Sequence, residues 1–427
     1  MEKSFDIVIF GASGYTGKYA VREAVKILHN YKWAVAGRNK EKLQSVLKEV
    51  GLKNNVELSN VPIIIADIND DKSLRDMTAQ AKVIVNCCGP YRFYGEQVVK
   101  ACIETKTNHV DVSGEPQYME TMQLKYNDAA REKGVYIVSA CGFDSIPADM
   151  GTVFLQKQFN GTVNSVETYL TFFADDGIKR SGASLHFGTF ESAVYGFAHA
   201  NELGAIRRQL FPTRLPRFQP TLKDRPIIHK EQTIGNRYCM AFPGSDRSVV
   251  MRSQRYFFEQ ENQRPIQMRA YISFDSVFAV AGVIFFGIIF GTLARFDFGR
   301  KLLLNYPKFF TFGAASHEGP TEEANEHSVM EMFFLGEGWK ETLNEPTDQF
   351  IIPPNKKIVT KVSVKNPGYG ATCDALLLSA VMILKESDEM PKDGGVFPPA
   401  AAFKNTNLIN ELQNIGYTFE VVKIEEK

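Results

Sequence analysis

The chain has no excess charge of either sign, with 49 Lys and Arg against 49 Asp and Glu. Its overall field therefore selects no acidic or basic partner, and nucleic acid is not expected as one. It has no CxxC pair and no regular cysteine framework. Cys87, Cys88, Cys102, Cys141, Cys239 and Cys373 are scattered, and the adjacency of Cys87 and Cys88 suits neither zinc nor an ordinary bridge. No metal site is expected, and the thiols read as reduced ones of a cytosolic compartment. The opening MEKSFD carries charge at once, which predicts no cleavable leader. The glycine-rich stretch near the start lacks the Lys-Ser/Thr pair that closes a P-loop, so nucleotide hydrolysis is disfavoured. None of the 16 tyrosines is followed four residues on by lysine, which removes the short-chain dehydrogenase pair. There is no internal repeat and no low-complexity segment.

What is present in the first 150 residues is an alternation of apolar runs and amphipathic stretches. Phe5–Phe10, Lys32–Ala36, Val61–Ala66, Val83–Cys87, His109–Val112 and Val135–Ala140 read as strands, with helices over Lys18–His29 and Lys40–Val50. Continuous rather than alternating apolar strands predict a parallel sheet covered on both faces, a doubly wound α/β fold. After about Gly151 the texture changes. Ser165–Phe173 and Lys356–Val364 alternate as antiparallel strands do, which predicts a second, α+β domain. Ala371–Leu384 reads as a helix, followed by PKDGGVFPP and a last helix and strand over Leu408–Val422.

Ser276–Ala294 stands apart: 19 residues without a charge, about 28 Å as a helix and near the lower limit for crossing a bilayer. Residues 201–272 hold 13 Lys and Arg against 6 Asp and Glu. Arg295, Arg300, Lys301 and Lys308 follow, with a second apolar stretch over 302–312. Two readings stand, a buried core helix or a membrane-associating segment. Few core helices are apolar on every face, which favours the second. If both flanks belong to one folded unit, a single span would strand them on opposite sides of the membrane. A re-entrant hairpin or interfacial anchor over 276–312 is then expected, a monotopic attachment to anionic head groups.

The chemistry begins at GASGYTG. Gly11 permits the tight turn, Gly14 lets backbone approach a pyrophosphate, and Gly17 lets the helix pack against the strand. The helix N-terminus offers free N–H groups to the anion, and Ser13 and Thr16 add hydroxyls. At the end of the second strand, where NAD enzymes place an acid, AGRNK supplies Arg38, with Asn39 and Lys42 beside it. Arginine cannot accept from a ribose hydroxyl but pairs with a 2′-phosphate, so NADP(H) is expected rather than NAD(H). Asp67 ends the third strand and is placed to cap the adenine amino group. NCCGPY brings Cys87, Cys88, Gly89 and Pro90 to the nicotinamide ribose, with Tyr91 at the cleft mouth. Asp144 in CGFDSIPADMG reads either as a helix N-cap or as a substrate-orienting group. The expected cofactor contacts are thus Gly11, Ser13, Gly14, Tyr15, Thr16, Gly17, Arg38, Asn39, Lys42, Asp67, Cys87, Cys88, Gly89 and Pro90. Tyr91 and Asp144 are the catalytic candidates.

GASGYTG, AGRN, NCCGPY, HVDVSGE, CGFDSIPADMG and PKDGGVFPPAAAF together resemble the saccharopine dehydrogenase-like oxidoreductase family, its animal branch most closely. Relatives include saccharopine dehydrogenases and bacterial trans-acting enoyl reductases of glycolipid synthesis. The resemblance implies a Rossmann domain, 1–150 with 371–427, whose sheet is completed by C-terminal elements. The inserted α+β domain would be 151–370, for substrate and dimerisation. It also implies lipid-droplet association. The expected partners are a droplet or membrane surface, a lipid-like small molecule and a second copy of the chain. The expected location is the cytoplasmic face of droplets or the endoplasmic reticulum, with the mitochondrion as the alternative. Three functions follow: an NADP(H)-dependent oxidoreductase on an enoyl or carbonyl lipid; a cofactor-binding droplet scaffold or sensor without turnover; a soluble amino-acid dehydrogenase of the saccharopine type.

Overall fold

Six short apolar runs in the first 140 residues become strands: β1 Phe5–Phe10, β2 Trp33–Gly37, β3 Ile63–Ile65, β4 Ala81–Asn86, β5 Asn108–Asp111 and β6 Tyr136–Val138. The computed structural model describes residues 3–426 except Asp144, Lys179 and Ser181. Among these residues the six strands pair in parallel, with a seventh beyond β6, in the order Gly395–Phe397, β6, β5, β4, β1, β2, β3. The succession reverses at β1 and β4, which is where the crevice beyond the strands' carboxyl ends opens.

The seventh strand comes from PKDGGVFPP, a stretch whose glycines and prolines hide it from a periodicity reading. Gly394 and Gly395 sit at φ +72° and +138°, and a Cβ on Gly394 would lie 2.6 Å from the Val135 backbone nitrogen. Only glycine permits that approach beside β6. The last strand, expected with the first domain, is corrected: Thr418–Glu426 pairs antiparallel with Lys356–Lys365 in the second sheet.

That second sheet runs Thr418–Glu426, Lys356–Lys365, Ser328–Trp339, Thr162–Ala174, Gln267–Phe274, Arg237–Ala241, His229–Glu231. It is mixed, because Thr162–Ala174 pairs antiparallel with Ser328–Trp339 but parallel with Gln267–Phe274. Gly151, the expected boundary, lies inside the Ile146–Phe159 helix, and a Cβ there would meet the Phe334 ring at 2.3 Å. The helix belongs to the contact between the two sheets: Asp149, on its first turn, accepts from Ser253 Oγ and the Ala400 backbone N–H.

Among the described residues two helices are long and apolar enough to cross a membrane, and burial separates them. Pro367–Lys385 is 83% buried and packs in the core. In Val277–Ala294 only Val280 and Ala294 of the 18 residues are buried, so the core-helix reading of this segment is corrected. Phe278 is 83% exposed, Phe285 64% and Ile288 63%. The strands on either side of the segment, Gln267–Phe274 and Ser328–Trp339, both pair with Thr162–Ala174. Its flanks are therefore one folded unit.

Candidate active site

The turn after β1 is built by close backbone contacts that only glycine allows. Gly11 has φ +81°, and a Cβ on it would lie 2.6 Å from Cys88 Sγ. A Cβ on Gly17 would stand 2.1 Å from the Gly11 carbonyl oxygen, so the Tyr15–Ile27 helix starts directly on the turn. That is why the helix begins three residues before the Lys18 expected from its apolar pattern. Gly14 is different: a Cβ there would meet one atom within 4 Å, the Gly11 oxygen at 3.3 Å. Gly14 and Ser13 are exposed, and Gly14 is the N-cap with no side chain bonded to the helix N–H groups. Open backbone donors at a helix N-terminus with no acid in the first turn fit a dinucleotide pyrophosphate.

Arg38 follows β2, exposed, and forms no ion pair among the described residues. Its charge reaches Cys88, whose thiol burial pushes up to about 12 despite it. An unengaged guanidinium here fits a 2′-phosphate. Lys42 is exposed on the following helix, while Asn39 Oδ1 accepts from the Lys42 N–H as that helix's cap. Asn39 thus has a structural duty. Asp67 holds one carboxylate oxygen against the Asn69 N–H and side-chain amide.

Across the crevice, β4 ends at Asn86. Cys87, Gly89 and Tyr91 line a cleft of about 620 Å³ together with Gly14, Tyr15 and Thr16. Burial pushes the Cys87 thiol far up, so neither adjacent cysteine is a thiolate. Tyr91 is buried and its hydroxyl donates to the Asn86 carbonyl at 2.9 Å. Its proton is committed to backbone, against its reading as a donor to substrate. Asp144 lies outside the described residues. Tyr15 stacks on His186, ring centroids 4.4 Å apart, and its hydroxyl donates to the Pro320 carbonyl, tying the glycine turn to the far cleft wall.

Sequence reasoning missed a carboxylate that lines the cleft. Glu115, in HVDVSGE, accepts from the Tyr91 and Arg92 backbone N–H groups at 2.9 and 3.0 Å and from Ser192 Oγ at 3.0 Å. It caps the Tyr91–Glu104 helix, whose N-cap Pro90 has no side-chain acceptor. Burial pushes its carboxyl up against the pull of these donors. Glu191 is also raised, by burial and then by the charge of Glu115. No local pattern marks Glu115, because its partners lie 23, 24 and 77 residues away.

The far wall is the Phe187–Ala198 helix, which meets the cleft through Thr189, Ser192, Ala193, Gly196 and Phe197. Its opposite side, through Phe190 and Val194, packs on Phe290, Leu293 and Ala294 of the apolar helix. His186 starts this wall; its Nδ1 accepts from the Gly188 N–H, and burial lowers its pKa, so it is a neutral structural group. Asp175, Asp176 and His327 form a cluster with metal-ligand chemistry, but Lys365 and Arg180 already pair its carboxylates.

Residues 7–138 match the family model described as the saccharopine dehydrogenase NADP binding domain. The chain is 41% identical to the saccharopine dehydrogenase-like oxidoreductase of Homo sapiens, over 100% of this chain and 99% of that one. It is 38% identical to a Caenorhabditis elegans lipid droplet localized protein, over 98% of each chain. Among solved structures, apo saccharopine dehydrogenase (L-Glu forming) from Saccharomyces cerevisiae covers 98% of this chain and 100% of its own, with TM-score 0.55 at 12% identity, a likeness of fold alone.

Proposed function

The chain belongs to the saccharopine dehydrogenase-like oxidoreductase family, and from that premise we propose that it acts as an NADP(H)-dependent oxidoreductase on a lipid-like enoyl or carbonyl substrate at a droplet surface. The observation that carries the lipid part is the Phe187–Ala198 helix, one side of which lines the cleft beside the glycine turn while the other rests on an exposed apolar helix. The droplet localisation named for the nematode relative agrees with that helix.

When bound, NADP(H) supplies or accepts the hydride. Gly11–Gly17 and the helix N-terminus hold its pyrophosphate, and Arg38 and Lys42 its 2′-phosphate. The cleft walls exclude water from the reacting atoms. Glu115 is kept protonated at higher pH than an exposed carboxyl; in that form it donates to Ser192 Oγ, reversing the bond seen here, and Ser192 gives its own hydroxyl proton to the substrate. A general acid works in its protonated form, so turnover in the reducing direction is expected to fall as pH rises through the Glu115 pKa. Glu115→Gln should flatten that limb of the pH–rate profile and lower kcat. An unchanged profile would remove Glu115 from the reaction.

Arg38→Ala is expected to weaken NADPH ten- to a hundredfold and to leave NADH unchanged, since charge-assisted bonds of about 1.5–3 kcal/mol are lost only with the 2′-phosphate. Fluorescence titration of both nucleotides reads it; equal losses would put the selectivity elsewhere. The central test is NADPH oxidation by the full chain against lipid extracts. A protein that binds NADPH yet turns over nothing is the droplet scaffold or sensor, a reading favoured by the engagement of the Tyr91 hydroxyl. The amino-acid reading needs cations for a substrate with several carboxylates, whereas this cleft is lined by Glu115 and, among the described residues, by no Lys or Arg.

A further inference from the structure

The cleft wall on the Phe187–Ala198 helix is graded in polarity along its length. Thr189, Ser192, Ala193, Gly196 and Phe197 share one side of the helix, spaced three and one apart, and Ala200 continues the line. The hydroxyl groups stand at the end that meets Glu115 and the glycine turn. Beyond Ala193 the same wall offers Gly196, Phe197, Ala200 and, from the next helix, Leu203, without a charged group. From Thr189 to Phe197 this is about 12 Å of helix, and Ala200 lies just past the helix end.

The apolar end of the cleft adjoins the exposed apolar helix. Phe197 lines the cleft, is 43% exposed, and sets its ring edge-on against Phe290 at 5.3 Å. Gly196, one residue back, leaves room: a Cβ there would meet nothing within 4 Å. Its carbonyl accepts from Gln117 Nε2 at 3.0 Å, which fixes this part of the wall. A wall of Ala, Gly, Phe and Leu side chains holds a ligand chiefly by excluding water from hydrocarbon.

Resting on the lipid-substrate reading above, we infer that a single hydrocarbon chain enters the cleft from the lipid surface past Phe197, lies along Gly196 and Ala193, and so brings its oxidisable or reducible end to Ser192 and Glu115. The route makes the apolar helix the source of the substrate as well as the attachment. Gly196 and Ala193 then set how wide a chain is admitted.

cis-Parinaric acid, a fluorescent straight-chain acid, is titrated against the full chain with NADPH present. One saturable site per chain is expected. Gly196→Leu, a helix-favouring change that fills the open space, should weaken it at least tenfold with NADPH affinity unchanged. Ala193→Phe, at an exposed position on the same side, should do the same and guards against a folding defect in either variant. Replacing outward-facing Phe278, Phe285 and Ile288 by Ser should leave the saturable site intact. Wild-type binding in both cleft variants, no saturable site in the wild type, or loss of the site in the triple variant would each overturn the route. Wild-type protein that fails to bind NADPH would sink the functional reading instead, while the probe titration still decides the route.

Discussion

Gly14→Val is expected to lower NADPH affinity a hundredfold or more while shifting the melting temperature by only a few degrees. The argument rests on how differently the three glycines of the turn are used. A side chain at Gly17 would collide with the Gly11 carbonyl at 2.1 Å, and one at Gly11 with Cys88 at 2.6 Å. Either substitution disturbs the fold, so loss of binding there would prove little. Gly14 has an ordinary φ of −77°, and a Cβ there meets one atom within 4 Å, the Gly11 carbonyl oxygen at 3.3 Å, which must give by a few tenths of an ångström. Valine costs the relaxation of that one contact and a poorer N-cap, together about 1–2 kcal/mol, which in a chain of 427 residues moves the melting temperature by roughly 1–2 °C. The same side chain stands where the pyrophosphate must approach the backbone. Losing two N–H bonds to a charged phosphate, at about 1.5–3 kcal/mol each, exceeds the 2.7 kcal/mol of a hundredfold change. Calorimetric titration and a thermal melt on one sample read both outcomes. Full affinity in the variant would mean that the dinucleotide does not use this turn.

Replacing Phe278, Phe285 and Ile288 together by Ser should release the protein from droplets and from phosphatidylcholine vesicles, read by flotation. Each side chain is more than 60% exposed, so the folded state loses few contacts and the melting temperature should hold. Transferring an exposed side chain of this size into hydrocarbon is worth about 1.5–3 kcal/mol. Three of them come to roughly 4–9 kcal/mol, and half of that is already more than tenfold in partition. The basic residues near the segment, worth about 1 kcal/mol each at an anionic surface, cannot replace it. A variant that floats like the wild type would mean attachment by another surface. The attachment is monotopic in this reading, because the strands before and after the helix share the neighbour Thr162–Ala174. A crossing would have to divide one hydrogen-bonded sheet between two sides of a membrane.

The strand, glycine turn and helix at which we propose that the dinucleotide binds were legible in the residues because their logic is local. β1, the turn and the first helix lie within about 25 consecutive residues, and the contacts that require glycine at Gly17 lie inside that stretch, while those at Gly11 come from Cys87 and Cys88. The place of Arg38, exposed directly after β2, was legible for the same reason, since strand ends and the residues after them are read together. The parallel sheet was legible from continuous apolar runs, which is what burial on both faces demands. The three-residue strand Gly395–Phe397 was not, because so short a strand exists only by pairing with β6. Nor was the placement of Thr418–Glu426, whose alternation fits either sheet until its neighbour Lys356–Lys365 is known.

The sequence by itself determined a phosphate-binding turn, a preference for a 2′-phosphate, and a charge-free segment long enough for lipid. Those are properties of neighbouring residues. Only the tertiary structure decided that the segment stands outside the core, that Tyr91 spends its proton on a carbonyl, and that Glu115 is the carboxyl facing the cleft. Exposure, hydrogen-bond partners and the raising of a pKa by burial all depend on groups far apart in the chain, and spacing along it does not encode them.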